Sequence, residues 1–284
     1  MAFTKKEISV TVKTPGQSYT FQGLRTSVHM EDFGGQTLKS AEIRIFGVAK
    51  DSLLALSSYQ PQSPLFNQQT TVEVYAGDAK NGMQFAFGGM VMAAWADMVG
   101  IPNTALQIVA LGQPIAAAKP TAPTTFPGDV DVTQVMQTIS GLMGLTLHSN
   151  LDKPIILRKP YFWGTPYEQM LQCADAAHVS TRLFISAGGG GWLSIWPVNG
   201  SNGSVTVEVS PATGLVGYPA FDGKSVAVTT LYNPLLKFGS TIKVTTDLGP
   251  ANGTFIANAG VLHHIESYTY NGAWFTQAMG MYLG

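Results

Sequence analysis

The chain has 284 residues, 12% of them charged, and a formal net charge of -1. This length is enough for two or three small domains, and the charged share is about half that of an average globular protein. The near-neutral balance offers no electrostatic basis for binding nucleic acid or an anionic membrane. Low surface charge instead favours a place inside an assembly, where partners cover neutral surface.

The only cysteine, Cys173, limits the chemistry further. One cysteine excludes an intrachain disulfide and a Cys-based metal cluster within one chain. Residues 1–7 lead into polar alternation instead of an apolar signal segment, and no run of about 18 apolar residues follows. We therefore expect a protein that is made in the cytoplasm and has no membrane anchor.

Residues 1–113 are predicted to form an N-terminal β-barrel. A short helix is expected over residues 51–57, and Gly88-Gly89 indicates a bulge or sharp bend within a long strand. Alternation with a period of two predicts strands over residues 7–12, 19–23, 24–32, 38–47, 71–76, 83–98 and 105–111.

Residues 114–128, rich in Ala, Pro and Thr, predict a linker, after which the apolar period changes from 2 to 3.6. Asp131 and Gln134 are spaced as in a capping box at the start of a helix that ends at Gly144. A second helix opens at Thr165-Pro166-Tyr167-Glu168 and stops near His178. Strands are expected over residues 145–148, 153–159, 180–186 and 192–198, which completes a small α/β middle domain over residues 129–203.

Residues 204–284 predict a second, C-terminal β-barrel. The Asn271-Gly272 pair is typical of a two-residue hairpin between two long strands. The predicted fold is therefore mainly β with an α+β insert, in which two tube-like antiparallel β-barrels flank a small α/β domain.

Several patterns raise the question of catalysis or metal binding. Four consecutive glycines, residues 188–191, lack the following helix and lysine of a phosphate-binding loop, so a hairpin turn is the better interpretation. His263 and His264 are neighbours in a strand and point to opposite faces, which disfavours a shared metal ion. The other histidines lie in separate segments and predict structural or surface roles: His29, His148 and His178.

Other reactive or binding groups are interpreted in the same way. Cys173 lies on the apolar face of the second helix and lacks the context of a nucleophile. No lysozyme-like motif selects a glycosidase pair from the acids Glu31, Asp32, Asp97 and Glu266. A cluster of aromatic residues suits a core or subunit interface better than a sugar platform: Tyr161, Phe162, Trp163, Trp192 and Trp196. We predict no catalytic, cofactor-binding or metal-binding residue.

The order of motifs in both barrels resembles the baseplate hub proteins of contractile-tailed, myovirus-like bacteriophages. The C-terminal carriers are Asn233, Pro234, Leu236, Lys237, Gly239, Ser240, Ile242, Asn252, Gly253, Thr254, Phe255, Val261, Ile265, Tyr268, Trp274, Phe275 and Thr276. The N-terminal carriers are Phe87, Gly88, Gly89, Val91, Ala94, Asp97, Pro102, Leu106, Ile108 and Ala110. The helix-and-hairpin module between them resembles the small α/β domain of these hubs.

This resemblance implies a structural protein of the tail baseplate, assembled in the host cytoplasm, without enzymatic activity or cofactor. Three subunits would present six tube-like barrels, matching a hexameric tail tube above and a trimeric central spike below. The implied partners are the chain itself as a homotrimer, the tube or tube-initiator protein, the spike, the tape measure protein and the wedge proteins. DNA would only pass through the lumen, and no stable membrane association is implied.

Two alternatives stay open at this point. The chain is equally compatible with the hub of a pyocin-like or type VI contractile injection system. An alternative from another class is a cell-wall glycan-binding or hydrolase module built on Trp192 and Trp196, which would retain on a glycan column or clear peptidoglycan.

Overall fold

The computed structural model describes residues 5–57, 70–78, 81–100, 102–112, 119–247 and 249–282. The first part of the chain contains one helix, α1 (Lys50–Leu56), which buries Leu53 and Leu56. Its strands are β1 (Lys6–Lys13), β2 (Ser18–Gln22), β3 (Thr26–Asp32), β4 (Ser40–Phe46), β5 (Thr71–Asp78), β6 (Gly82–Asp97) and β7 (Ala105–Leu111). We call these elements the first barrel.

The alternation expected for these strands is confirmed by their burial. In β1, Ile8, Val10 and Val12 are at most 2% exposed, while the residues between them keep contact with solvent. Strands β3, β4, β5 and β7 turn apolar residues into the same core. Each fully buried Val or Ile stabilises the fold by about 1.5–3 kcal/mol relative to exposure, so this core is the main source of stability for the first barrel.

The long strand β6 has a bulge two residues before the predicted Gly88-Gly89 position, and both glycines pair in regular register with β5. The pairing of β5 with β6 shifts register between Val74 and Tyr75, which leaves Ala86 as an extra residue. A side chain at Gly89 would place its Cβ 2.5 Å from the carbonyl oxygen of Leu111 on β7. Glycine is therefore required there, because the neighbouring backbone approaches too closely for any other residue.

The middle of the chain contains two helices and a small sheet, which we call the middle module. The helices are α2 (Val132–Leu142) and α3 (Pro166–Ala177). The strands are β8 (Thr124–Thr125), β9 (Asp129–Asp131), β10 (Thr146–Ser149), β11 (Ile156–Arg158), β12 (Tyr161–Phe162), β13 (Val179–Ile185) and β14 (Gly191–Pro197). Both helices pack their apolar faces against β13 and β14 in a core of their own.

Local sequence signals set the ends of these helices. Asp131 accepts a hydrogen bond from the backbone N–H of Thr133 at 2.7 Å and caps α2. Thr165 and Glu168 form the reciprocal capping box expected at the start of α3. The α3 helix ends at His178, whose φ of 51° is left-handed, which closes the last turn as a glycine normally would.

The last part of the chain contains β15 (Val207–Val209), β16 (Ala220–Phe221), β17 (Ser225–Leu231), β18 (Thr241–Val244), β19 (Gly253–Ser267) and β20 (Trp274–Tyr282). Strands β17, β20, β19, β18 and β15 are neighbours in that order. After the turn that follows β15, Leu215 pairs with Thr230 of β17, so the strands run round a ring. We call these elements the last barrel; its core is separate from that of the first barrel.

The two barrels share a single sheet. One half of β19 pairs with β18 through Gly253 to Ile256, and the other half pairs with β3 from Val261 to Ser267. The change of partner occurs at Gly260, whose φ of 151° is accessible mainly to glycine. We call the β3–β19 pairing the seam.

The Asn271-Gly272 turn differs from the expected two-residue hairpin. The β19–β20 ladder stops at Ile265 opposite Trp274, and Glu266 N–H still bonds the carbonyl of Ala273 at 2.7 Å. A type I′ turn needs positive φ at both central residues, yet Asn271 has a φ of 53° while Gly272 is not in that region. The loop is longer because Ser267 continues the pairing with β3 instead of turning back early.

The expected mainly β fold with an α/β insert is confirmed. The first residues of the predicted linker, 114–118, lie outside the described residues, and its later part contains β8, which pairs with β12 of the middle module. Across the described ranges, no helix has both the length and the apolar character needed to cross a membrane.

Candidate functional site: the junction of the three modules

Each of the four acids considered for glycosidase chemistry lies beside a histidine or an arginine. Glu266 lies 3.6 Å from His264, whose ring is 5.7 Å from that of His29. Glu31 contacts His29 at 2.9 Å, and Asp97 lies 3.7 Å from Arg44. Glu266 accepts a hydrogen bond from the Ser27 hydroxyl at 3.2 Å. Asp32, the fourth acid, is buried beside an arginine of the middle module, described below. Each carboxylate is therefore held by its own structural contact.

The adjacent histidines point to opposite sides of β19, as expected. His263 is 5% exposed, and its Nδ1 lies 2.8 Å from the Thr276 hydroxyl. Burial, with a contribution from the positive charge of Lys39, lowers the pKa of His263 to about 3, so the ring is neutral at pH 7. The His264 side chain is 48% exposed. Among the residues that the structure describes, no group of three His, Cys, Asp or Glu could hold a metal ion.

Cys173 is fully buried in the core of the middle module. Burial raises the pKa of its thiol to about 12, so the thiolate that a nucleophile needs is not populated at neutral pH. Its packing agrees with the expectation of a small buried apolar residue.

The glycine run closes the β13–β14 hairpin. The N–H of Ser186 bonds the carbonyl of Gly190 at 2.9 Å, and β14 begins at the next residue. The backbone N–H of Gly188 points to the Glu73 carboxylate of the first barrel at 3.1 Å. This loop therefore contacts the first barrel through a carboxylate and continues into a strand, which does not match a phosphate-binding loop.

The tryptophans are split between core and surface. Trp196 is 1% exposed, and Trp192 stacks between His148 and Phe184 with ring centroids 5.5 Å away on each side. Trp163 is 63% exposed, and Tyr161 is 60% exposed. Trp192 is partly buried and already contacts two other rings and the Lys237 ammonium, so a packing role accounts for it.

The clearest concave site lies where the first barrel, the middle module and the last barrel meet. It is a cavity of about 170 Å³, which we call the junction cavity. Each of the three parts contributes one basic residue to its wall: Lys39 precedes β4, Arg182 lies on β13 and Lys237 lies in the loop before β18. Among the described residues of the wall, Asp32 at the end of β3 is the only acid.

Arg182 joins the middle module to the first barrel. Its Nη2 lies 2.5 Å from Oδ1 of Asp32, and its Nη1 donates to the carbonyl of Thr37. Both charged side chains are under 10% exposed. The N–H groups of Arg182 are not aligned with the Asp32 oxygen, so this close contact is an ion pair and not a hydrogen bond. Within the described part of the chain, Arg182 Nε and Nη2 therefore have no hydrogen-bond partner. A buried pair of this kind is strongly destabilised if either charge is removed.

The other two basic residues have unfavourable surroundings for a positive charge. Burial lowers the pKa of Lys39 to about 8; the Asp32 charge opposes this shift, and the Lys237 and Arg182 charges add to it. The Lys39 ammonium donates to the carbonyl of Ala86 at 3.1 Å. Burial also lowers the pKa of Lys237, whose ammonium lies 5.3 Å from the Trp192 ring centre. Three cations thus face one carboxylate.

A buried amide fixes the chain segment that enters the middle module. Gln169 of α3 is 0% exposed and accepts from the backbone N–H and hydroxyl of Thr124 at 3.2 and 2.6 Å. Its amide nitrogen donates to the hydroxyl of Thr121 and to the carbonyls of Ala122 and Gly164. One side chain therefore holds residues 121–124, in addition to the short β8–β12 pairing.

Comparison with known proteins adds the family. Residues 7–269 match the model of a family described as baseplate hub gp41. The chain belongs to this family. The match runs from the first barrel through the middle module to the end of β19 in the last barrel, and the resemblance seen in the sequence motifs is confirmed. No curated protein matches the hub chain.

Solved structures show the same fold at low sequence identity. The 43 kDa tail protein of prophage MuSo2 from Shewanella oneidensis is 11% identical, with a TM-score of 0.61 and 96% of each chain covered. A tail protein from Neisseria meningitidis MC58 is 9% identical, with a TM-score of 0.63 and again 96% of each chain covered. A chain of the Francisella PdpA–VgrG complex is 9% identical, with a TM-score of 0.57, 98% of the hub chain and 53% of that chain covered. The fold is thus shared by two tail proteins and by a chain of the PdpA–VgrG complex.

The junction cavity is the feature that sequence reasoning missed. Its four charged residues are separated by up to about two hundred positions along the chain, and no spacing rule connects them. One signal was present: Arg182 interrupts the strongly apolar strand β13, where a charge needs a buried partner.

Proposed function

We propose that the chain is the structural hub subunit of a contractile phage baseplate. Three copies form a pseudo-sixfold ring that joins the hexameric tail tube to the trimeric central spike. The division into barrels at residues 1–113 and 204–284, a linker at 114–128 and a middle domain at 129–203 is part of this proposal. The observation that carries it is membership of the baseplate hub family together with two barrels in one chain.

The seam supports the symmetry argument. A hexameric tube presents six equivalent sites, and three chains can match them only if each chain offers two barrels in a fixed relation. The β3–β19 ladder supplies that relation, because a shift by one residue would turn every side chain to the opposite face. Two barrels in a rigid pair therefore suit a threefold ring.

Strand edges support assembly with partners. Within the described residues, β2 pairs only with β1 and β16 pairs only with β17, so each leaves one edge for a further strand. Exposed edges are pairing sites that isolated proteins usually protect. We propose that these edges face the neighbouring subunit or the tube-initiator protein in the assembled tail.

The role is mechanical and not enzymatic. The ring acts as a symmetry adaptor and as a conduit for the tape measure protein and then for DNA, in the baseplate of a virion assembled in the host cytoplasm. Wedge proteins and the spike are its remaining partners. Glu31 and Glu266 each lie beside a histidine of their own strand, and Asp32 and Asp97 each lie beside an arginine. These contacts suit structural roles and support this proposal.

A second candidate is the hub of another contractile injection system. The shared fold with a chain of the Francisella PdpA–VgrG complex favours it. The two candidates differ in what the particle carries: a phage tail joins a capsid with a genome, whereas an injection system lacks both.

Electron microscopy of the purified chain mixed with its tail tube protein tests the proposal. We expect class averages of a threefold ring with six barrel densities stacked on the sixfold tube. Rings of any other symmetry, or tube alone with free monomers, would contradict it. In parallel, clearing of purified peptidoglycan by wild type and loss of clearing in Trp192→Ala would transfer support to the hydrolase alternative; we expect no clearing by either protein.

A further inference from the structure

The junction cavity has the features of a binding site for a small oxyanion. Its wall carries Lys39, Arg182 and Lys237 against the single carboxylate of Asp32. With His263 neutral, the side chains lining the cavity carry a net positive charge at pH 7. A buried positive charge without a counter-charge is energetically unfavourable. A bound anion would therefore stabilise the cavity.

Two side chains of the cavity wall also carry buried polar atoms without a hydrogen-bond partner in the described part of the chain. Arg182 is 3% exposed, and both its Nε and Nη2 lack a hydrogen-bond partner within the described residues. The Tyr232 hydroxyl, also in the cavity wall, is buried and equally without a partner there. Buried donors are nearly always satisfied in folded proteins, and a planar guanidinium suits the oxygens of a carboxylate, sulfate or phosphate group.

The cavity has room and access for such a ligand. Its volume of about 170 Å³ is well above the ~15 Å³ that one ordered water needs. Leu235, which borders it, is 56% exposed, and Lys237 is partly buried, so the cavity opens to solvent beside the loop that carries both. Phe184 and Leu38 form part of the apolar wall, which would strengthen the attraction by lowering the local dielectric constant.

We propose that the junction cavity binds an oxyanion, either a free sulfate- or phosphate-like ion or a carboxylate supplied by another chain. The ligand bridges the three basic residues, one from each part of the molecule. It thereby links the middle module to both barrels by charge-assisted hydrogen bonds, in addition to the Asp32–Arg182 pair. Anion binding and the relative position of the three parts are then coupled, because only the closed junction presents all three cations.

Thermal unfolding with sodium sulfate, against sodium chloride at matched ionic strength and pH 7, tests the site. We expect the melting temperature of wild type to rise with sulfate and to saturate, because a bound ligand stabilises the folded state. The variant Lys237→Gln should show about tenfold weaker half-saturation, the loss expected for one charge-assisted hydrogen bond. Lys243→Gln is the matched control, since Lys243 is exposed on β18 and faces Glu208; it should behave like wild type.

The same variants separate the two sources of the anion. Saturation at or below about 1 mM sulfate assigns the site to a free ion. A carboxylate from another chain gives a different pair of results. The melting temperature then rises with sulfate only at high concentration and without saturation, as for a salt excluded from the protein surface. In addition, Lys237→Gln lowers the mass of the assembled ring, whereas Lys243→Gln does not. Equal behaviour of wild type and both variants in the two assays overturns the oxyanion site. The melting assay needs no assembly, so its outcome is independent of the proposed ring.

Discussion

The two barrels and the middle module are joined in different ways. The seam between the barrels is a backbone ladder of seven residue pairs from Val261 to Ser267, and it places Ile265 and Trp274 of the last hairpin in the core of the first barrel. The junction with the middle module relies on charged side chains around a cavity. A ladder fixes register and resists change, whereas a charged junction depends on a few side chains and can respond to ligands and pH.

Removing one charge at the junction is expected to have the largest effect. Arg182→Met leaves Asp32 buried without its counter-charge, which should lower the free energy of unfolding by about 3–5 kcal/mol. Urea unfolding measures the loss. The control is Arg44→Met, because Arg44 is 52% exposed and lies 3.7 Å from Asp97; a surface pair contributes only about 0–1 kcal/mol. Equal losses in the two variants would show that the buried pair is not a structural connection.

Truncation of Ile265 tests whether the seam is a shared core. Ile265 is 0% exposed, so Ile265→Ala should lower the free energy of unfolding by about 2–5 kcal/mol through lost burial and the cavity left behind. His264→Ala changes the next residue on the same strand, whose side chain is half exposed, and should cost under about 0.5 kcal/mol. Two separate unfolding transitions in wild type would contradict a seam that couples the barrels.

His263 lies on the seam strand and borders the junction cavity, so it connects the two regions. Its folded pKa of about 3 is below the usual value of 6.5. Between these values the unfolded chain binds more protons, so stability falls as pH decreases from about 6.5 towards 3. At pH 4.5 the resulting loss in the free energy of unfolding is about 2–3 kcal/mol.

His263→Gln should flatten this acid dependence, measured as the difference in urea midpoint between pH 7.5 and pH 4.5. His264→Gln is the control and should retain the full difference. An unchanged acid dependence in His263→Gln would place the responsible group elsewhere.

The smallest expected effect concerns the segment that enters the middle module. Gln169→Leu keeps the side-chain volume but leaves the N–H and hydroxyl of Thr124 without their acceptor, which should cost about 1–3 kcal/mol. Hydrogen exchange at the Thr124 amide should accelerate. Gln172→Leu is the control, because the Gln172 amide bonds the backbone of the exposed Trp163. In this variant the Thr124 amide should stay protected from exchange. Unchanged protection in Gln169→Leu would show that β8 is held by its strand pairing alone.

The elements that could be predicted are those with local causes. The alternation of Ile8, Val10 and Val12 marks β1, and the Thr165–Glu168 capping box marks the start of α3, because in both cases neighbouring residues carry the signal. The family resemblance likewise followed from the order of short motifs.

The features that were missed depend on distant residues. The Asn271-Gly272 pair suggested a two-residue turn, but Ser267 pairs with Thr26 of β3, about 240 positions away, and lengthens the loop. In the same way, Lys39, Arg182 and Lys237 look unrelated in the sequence and meet only when three parts pack together. Such contacts depend on long-range pairing that no local pattern encodes.

The mass of the purified chain in solution, measured by light scattering, tests the central claim most directly. The proposed hub predicts three times the chain mass of 30.2 kDa, either alone or after the spike or tube protein is added. A chain that stays at 30.2 kDa and binds neither partner would contradict the account.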